Sequence, residues 1–324
     1  RDNVTPIALL VDDPTPFLHL YRHHMRDLHG STTRAADGRD LAEEIPDAFL
    51  GRFIAVTRER GMAGKFSIVP APMFRGDVVR GIAGRAPAAT RAWVRTAVEE
   101  LGARFDFCPE MITHSWAMDL ATGEPLTENE HDWSRRQTRA TLTPYIARGL
   151  ALLKESHVDA TGVTSPWMFG EDVESEYIVA IAAAQREVFG RDFSWYFLHI
   201  KEDPMTKPWI ALREGDATLV SIPASMDDAL WDTIWKHGRA DARLIGSLAD
   251  AFLTADGRAG RIRTVLDAGG WPVLLVHWQT LFSNGHETGL AVLDEVGARV
   301  RRVLGGAVRW SSCLEMSRIV ALGT

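Results

Sequence analysis

The stretch Ile7-Ala8-Leu9-Leu10-Val11-Asp12-Asp13-Pro14 is an apolar run that ends in two adjacent carboxylates and is closed by a proline. Five consecutive apolar residues bounded by a proline turn read as a strand buried on both faces, as in a parallel sheet under helices. Two carboxylates at its end then lie at the mouth of the sheet. Burying like charges side by side costs free energy unless a cation or hydrogen-bond donors sit between them. The strand twist turns the two carboxylates in different directions, so that one can hold a metal while the other acts as a base. Asp-Asp-Pro is also good turn chemistry, and the rest of the chain has to decide between these readings.

The pattern of that first run recurs. Short β-rich runs cover Ile7 to Asp13, Lys65 to Pro70, Phe105 to His114, Gly162 to Pro166, Trp195 to Ile200, Thr218 to Pro223, Pro272 to Gln279 and Ala307 to Glu315. Between them apolar residues return at spacings of three and four, as in Leu50, Phe53, Ile54 and Thr57 or Trp93, Val94, Ala97 and Leu101. That period is one face of a helix. Strand and helix alternating along the chain imply parallel strands joined by right-handed crossovers. The fold class expected is α/β, a distorted barrel of seven or eight parallel strands with outer helices. No linker or repeat divides residues 1–324, which read as one domain with an irregular excursion near 226–261. No glycine-rich phosphate loop follows the first strand, against a nucleotide-binding doubly wound sheet.

Composition bounds the partners. The 324 residues are 46% hydrophobic and 24% charged with a net charge of −7. An acidic chain lacks the basic face that nucleic acid requires, and no run of about 18 apolar residues offers a membrane span. Two cysteines, Cys108 and Cys313, form no disulfide framework and pair only if the fold brings them together. The chain begins at Arg1 without a basic-apolar leader, which leaves the compartment open between cytoplasm and secretion with a leader removed.

In parallel barrels chemistry collects at the C-terminal ends of the strands. Six of the eight expected strands end in a titratable or aromatic polar group: Asp12-Asp13, Glu110 with His114, Ser165-Pro166-Trp167, His199, His277-Trp278-Gln279, and Cys313 with Glu315. A purely structural barrel has no need of this. Glu110 and Glu315, in Cys-Pro-Glu-Met and Cys-Leu-Glu-Met, read equally as a facing acid/base pair or as acceptors of loop amides. His199 reads as a core or cap histidine. The adjacent His23 and His24 are poorly spaced to hold one ion together, and Glu128, Glu130 and Asp132 read as a solvated loop. Trp116, Trp167 and Trp278 each adjoin a strand end, where an aromatic wall suits the apolar face of a sugar ring or simply closes the barrel.

These residues resemble a known family. Asp12-Asp13 after the first strand is similar to the first motif of the polysaccharide deacetylases of the NodB-homology group, carbohydrate esterase family 4. Thr113-His114-Ser115 resembles their second, metal-binding motif, Ser165-Pro166-Trp167 their third, and Leu274-Leu275-Val276-His277 their final Leu-x-His motif. The resemblance implies a distorted (β/α) barrel that holds a divalent metal, Zn²⁺ as the first expectation, and removes acetyl groups from acylated sugars. It implies Asp12 as general base, His277 as general acid, and Asp13 and His114 as metal ligands. Glu110, Trp116, Trp167, Trp278 and Glu315 would then contact the carbohydrate. The chain departs from the pattern at Met118, where the family's second metal histidine would fall, and Asp119 is the substitute expected there. Thr164 stands where the family carries an arginine. Two alternatives stay open: a metal-independent glycoside hydrolase using a carboxylate pair from Asp12, Asp13, Glu110 and Glu315, and a non-catalytic carbohydrate-binding barrel.

Overall fold

A computed structural model of the chain describes residues 4–31, 34, 35, 37–237 and 240–323. Nine strands bear on the site: β1 (Thr5–Asp12), β2 (Gly64–Ile68), β3 (Phe105–Pro109), β4 (Gly162–Thr164), β5 (Phe193–Phe197), β6 (Trp209–Glu214), β7 (Ala217–Ser221), β8 (Val273–His277) and β9 (Val308–Trp310). Helices α1 (Asp47–Arg60), α2 (Pro87–Leu101), α3 (Arg139–Glu155) and α4 (Glu174–Phe189) fall one in each gap from β1 to β5. Helices α5 (Trp278–Phe282) and α6 (Thr288–Arg299) follow β8, and α7 (Cys313–Leu322) follows β9.

One sheet runs β8-β1-β2-β3, all parallel, with β9 paired to the first residues of β1. The second runs β6-β7-β5-β4, parallel except for the β6–β7 hairpin. Isolated parallel bridges join the sheets at both margins, Phe107 with Ala160 and Glu110 with Thr164 on one side, Met226 with Leu274 on the other. The arrangement is a barrel-like α/β fold whose seams are single bridges, not continuous ladders.

The burial explains the apolar run that opens the chain. From Ile7 to Val11 every residue of β1 is fully buried. Ala8 and Leu10 join an inner cluster with Trp195, Val220 and Leu275, whereas Ile7, Leu9 and Val11 join the outer cluster with Phe49 and Phe53 of α1. Period-two alternation thus persists, but both faces are apolar because helices cover the outside. Gly64 allows β2 to approach, since a Cβ there would sit 1.8 Å from the Leu9 carbonyl oxygen. Cys108 and Cys313 are both free and buried.

Two expectations need correction. The last run is a strand only over Val308–Trp310; Ser312 then caps α7, so Glu315 belongs to a helix. The capping box, in which Ser312 and Glu315 bond each other's backbone amides, competes successfully with strand extension. Strand β6 has no counterpart in the expected strands, its residues being half-buried or exposed at a hairpin edge. The stretch near 226–261 contains two short helices, Asp232–Trp235 and Ala242–Asp250, with residues 238 and 239 outside the described residues.

Candidate functional site

Parallel register brings the strand ends to one level. Asp12 pairs with His277 across β1 and β8, and Ile68 with Pro109 across β2 and β3. Beyond these ends lies a cavity of about 340 Å³, whose walls include Asp12, Asp13, Glu110, His114, Trp167 and His277.

At the end of β1 the two aspartates part company. Asp13 has a left-handed backbone, φ 66°, a conformation that a non-glycine residue holds only where surrounding contacts impose it. Its amide donates to Glu110 Oε2 at 2.8 Å, and Gln279 Nε2 donates to its Oδ2. Its other oxygen, Oδ1, lies 3.0 Å from His114 Nε2, which is also 3.4 Å from Glu110 Oε1. Asp12 turns instead toward β2. Its Oδ1 accepts from the Lys65 ammonium and from Ser67 Oγ at 3.1 Å. Lys65 is wholly buried, and its ammonium also stands 4.8 Å from the centre of the Phe197 ring. Burial pulls the Lys65 pKa down, but the charge of Asp12, with those of Cys108 and Glu110, leaves it above its ordinary value.

Asp13, Glu110 and His114 are each at most 4% exposed, and one donor atom from each lies within 4.8 Å of the others. Two carboxylates and one imidazole are a donor set suited to a borderline or hard divalent ion. Asp13 Oδ1 is buried and meets His114 Nε2 alone, as an oxygen available to a cation would. A proton on His114 is the competing positive charge there. Burial would lower the His114 pKa, yet Asp13 and Glu110 hold it well above the ordinary histidine value. Burial raises the Asp13 pKa, and the opposing charge and hydrogen bond of His114 outweigh it, leaving Asp13 below the usual carboxylate range. Glu110 is pushed up to about 7, by burial first and then by the charges of Asp12 and Asp13.

The loop that carries His114 is held from behind by a residue the sequence reading placed in solvent. Glu130 is fully buried, and its carboxylate accepts from the amides of Ile112 and Thr113 at 3.0 Å each, from the amide of His114 at 2.8 Å, and from Tyr145 Oη at 2.7 Å. Each buried amide left unsatisfied costs about 1–3 kcal/mol. Glu130→Ala is therefore expected to lower stability by several kcal/mol, read by denaturant unfolding. The same variant should loosen the Asp13–Glu110–His114 cluster, because His114 loses its anchor.

On the opposite wall, His277 Nδ1 and Asp228 Oδ2 are 2.8 Å apart, and the same oxygen accepts from the His277 amide at 2.9 Å and Thr280 Oγ1 at 2.7 Å. Trp231 stacks obliquely at 4.8 Å from the imidazole. Burial would lower the His277 pKa, but the Asp228 hydrogen bond and the charges of Asp13, Asp228 and Asp12 raise it to about 9. The imidazole is thus kept protonated at neutral pH with Nδ1 committed to Asp228, leaving Nε2 as the atom available to a ligand. His24 also borders the cavity, stacked on His114 at 4.7 Å and bonded through Nε2 to the His114 carbonyl at 2.7 Å.

The other sequence-selected residues fall elsewhere. Trp167 lines the cavity, 39% exposed, edge-on to His114 at 4.5 Å. Trp116 lines a neighbouring cavity in the hairpin Trp116–Met118 with Pro125–Asn129. Trp278, the first residue of α5, turns away into the strand–helix layer and packs edge-on against Phe49 at 4.6 Å and Phe53 at 5.4 Å. Asp119 lies in the hairpin turn, where its Oδ1 accepts from the Ala121 amide at 2.9 Å, and the third donor of the cluster is Glu110 instead. Glu315 sits at the opposite end of the sheet, on a helix whose Leu314 amide donates to Asp106 at the base of β3. It does not face Glu110. His199 bonds Glu174 at 2.8 Å.

Lys65, Asp228, Gln279 and Glu130 were not singled out as site residues by sequence reasoning. Lys65 did carry a signal: one of only five lysines, it stands inside a β-rich run. A lysine in a buried strand is almost always paired.

No family model matches the chain, and no curated protein matches it. Among solved structures, a presumed polysaccharide deacetylase from Mycobacterium smegmatis is 17% identical, with 85% of this chain and 77% of that chain covered at a TM-score of 0.49. A 4-alpha-glucanotransferase from Thermococcus litoralis is 10% identical, with 98% of this chain and 40% of that chain covered at a TM-score of 0.47. Likeness at this level carries no argument about chemistry, which rests on the site. No helix among the described residues is long and apolar enough to cross a membrane.

Proposed function

We propose that the chain is a metal-assisted hydrolase that removes an acyl group from a carbohydrate. The observation that carries this reading is the convergence, in one cavity, of the buried Asp13–Glu110–His114 cluster and an imidazolium held by Asp228. A purely structural polar network would not need both. Asp13, Glu110 and His114 would hold the ion, with Zn²⁺ the first candidate. When bound, the ion supplies Lewis acidity and lowers the pKa of water.

The remaining steps belong to side chains. Asp12 borders the cavity with both of its side-chain hydrogen bonds on Oδ1, so Oδ2 is the oxygen that would take a proton from the attacking water. His277 would give its Nε2 proton to the departing amine or alcohol, with Asp228 stabilising the charged form and fixing the ring. Trp167, Trp231 and Tyr21 give the cavity aromatic walls above a polar floor, which suits a sugar ring. The carboxylate-pair glycosidase is less well supported. Glu110 and Asp13 are both nearly inaccessible and share one imidazole, which leaves no room for a glycosidic bond between them.

The test is metal content by mass spectrometry, with acetate release from N-acetylglucosamine oligomers. About one equivalent of divalent metal in the native protein, lost in His114→Ala together with turnover, is the expected result. Apparent metal affinity should rise with pH, because His114 must shed the proton that Asp13 and Glu110 stabilise. Full turnover by metal-stripped protein would overturn the metal-assisted reading.

A further inference from the structure

The irregular stretch between β7 and β8 carries Asp228 and Trp231, the two residues set against His277, and Asp228 itself lies in no strand or helix. One side of the neck of this stretch is fastened to β8. The Ser225 and Met226 amides donate to the Val273 carbonyl at 2.9 and 3.2 Å, and the Leu275 amide to the Met226 carbonyl at 3.0 Å. The other side is fastened by Arg261, where the stretch returns. Its Nε donates to the Ser225 carbonyl at 2.7 Å and its Nη2 to the Glu202 carbonyl at 2.5 Å, with the Lys201 carbonyl 3.4 Å away. The guanidinium therefore faces backbone carbonyls of two loops and forms no ion pair among the described residues. The chain is shaped to deliver it. Gly260 has φ 96°, and a Cβ there would meet the backbone of Phe252 and Leu253 at 2.7 Å, so the return segment can lie there only as glycine. The amides of Arg261 and Ile262 then bond the carbonyls of Ala251 and Phe252 at 2.9 Å each, and Ile262 is fully buried. Arg261 stands on a fixed base.

We infer that Arg261 is a positioning residue that clasps the neck of this stretch and so holds Asp228 against His277. This rests on the reading of His277 as the general acid. Ser225 is three residues from Asp228, and the chain between them is tightly turned. Asp227 Oδ1 accepts from the Asp228 amide at 2.7 Å, and Asp228 Oδ1 from the Leu230 amide at 2.7 Å. A shift at Ser225 is then passed to the Asp228 carboxylate, since no slack chain lies between them to absorb it. Hydrogen bonds weaken steeply away from their optimal geometry. Such a shift would loosen all three that Asp228 Oδ2 accepts, from the His277 amide, His277 Nδ1 and Thr280 Oγ1. The same guanidinium reaches the loop after β5, where Ile200 borders the cavity beside Lys201. A planar fork can serve carbonyls on two loops at once, which the single ammonium of a lysine does less well.

The experiment is proton NMR of protein carrying isotope-labelled histidine, with acetate release from N-acetylglucosamine oligomers measured on the same samples. It compares native protein, Arg261→Met, Arg261→Lys and His277→Ala. An imidazole N–H held by a carboxylate gives a resonance downfield of the amides, and its absence from His277→Ala assigns it. Arg261→Met should abolish this resonance and lower kcat by about 10²-fold with little change in KM. Arg261→Lys, which keeps the charge and loses the fork, should retain part of both, and it carries the comparison if Arg261→Met fails to fold. A resonance unchanged in every variant that folds overturns the inference and leaves Arg261 a purely structural clasp, whatever the loss of stability. A fall in kcat with the resonance intact overturns it too, as does absence of the resonance from native protein. Loss of the resonance in the Arg261 variants, with no acetate released by native protein, keeps the clasp and overturns the hydrolase reading.

Discussion

Asp228→Asn is expected to move the alkaline limb of turnover from near pH 9 toward the ordinary histidine range, with far less effect in mildly acidic solution. His277 is held at about 9, and the hydrogen bond it donates to Asp228 is the largest cause acting upward. A general acid works only while protonated, so activity should be retained below that value and lost above it. Asparagine keeps the shape and can still accept the His277 and Thr280 hydrogen bonds, but it no longer favours the imidazolium. Asp13 and Asp12 continue to raise the pKa, so the limb should fall without reaching the value of a free histidine. His277→Ala removes the acid altogether and should lower kcat by about 10²–10⁴-fold with little change in KM. The same shift carries a stability signature. Because the folded pKa exceeds the unfolded one, the contribution is fully present below about 6.5 and disappears as pH rises through about 9. Native protein should therefore lose stability across that window, and Asp228→Asn should lose much less there. An unchanged pH profile in Asp228→Asn would remove His277 from the role of acid.

What the sequence disclosed and what it withheld divide along a physical line. Asp12, Asp13, Glu110, His114 and His277 were readable because each stands at or just beyond the end of an apolar run, and parallel strands bring such ends to one level. The strand–helix alternation from β1 to β5 was readable for the same reason, each period reporting which face is buried. Periodicity does not report what lies across a cavity. Asp228 comes from the irregular stretch before β8, where no period exists, and reaches His277 only through tertiary packing. Glu130 sits among Glu128 and Asp132 and looked solvated, yet it collects three amides in the interior. Asp119 was the expected third ligand, and Glu110 was read as an acid/base partner or an acceptor of loop amides. The left-handed turn at Asp13, which points its amide at Glu110, brings Glu110 rather than Asp119 beside Asp13 and His114. The helical fate of Glu315 was available from Ser312-x-x-Glu315, a capping signature outweighed by the apolar run before it.

Lys65→Met should destabilise the protein by about 3–5 kcal/mol, because it strands the Asp12 carboxylate in a site where both partners are almost inaccessible. Asp12→Asn alone should be damaging for the reciprocal reason: it leaves a fully buried ammonium beside Ser67 and the Phe197 ring. The two losses should not add. In Lys65→Met combined with Asp12→Asn neither charge remains to be solvated, and exchanging a buried ion pair for neutral groups of similar volume is often neutral or stabilising. Denaturant unfolding of the two single variants and the double variant gives the coupling directly. A double variant as unstable as the sum of the singles would mean that packing, not charge, governs this position. Turnover then separates fold from chemistry. If Asp12 is the proton acceptor and Lys65 orients it, the double variant should regain stability and remain inactive. Restored stability with restored turnover would instead move the base to another group of the cavity. The buried pair would then be a scaffold for the Asp13 turn, and the catalytic weight of the site would rest on the cluster that Glu130 anchors.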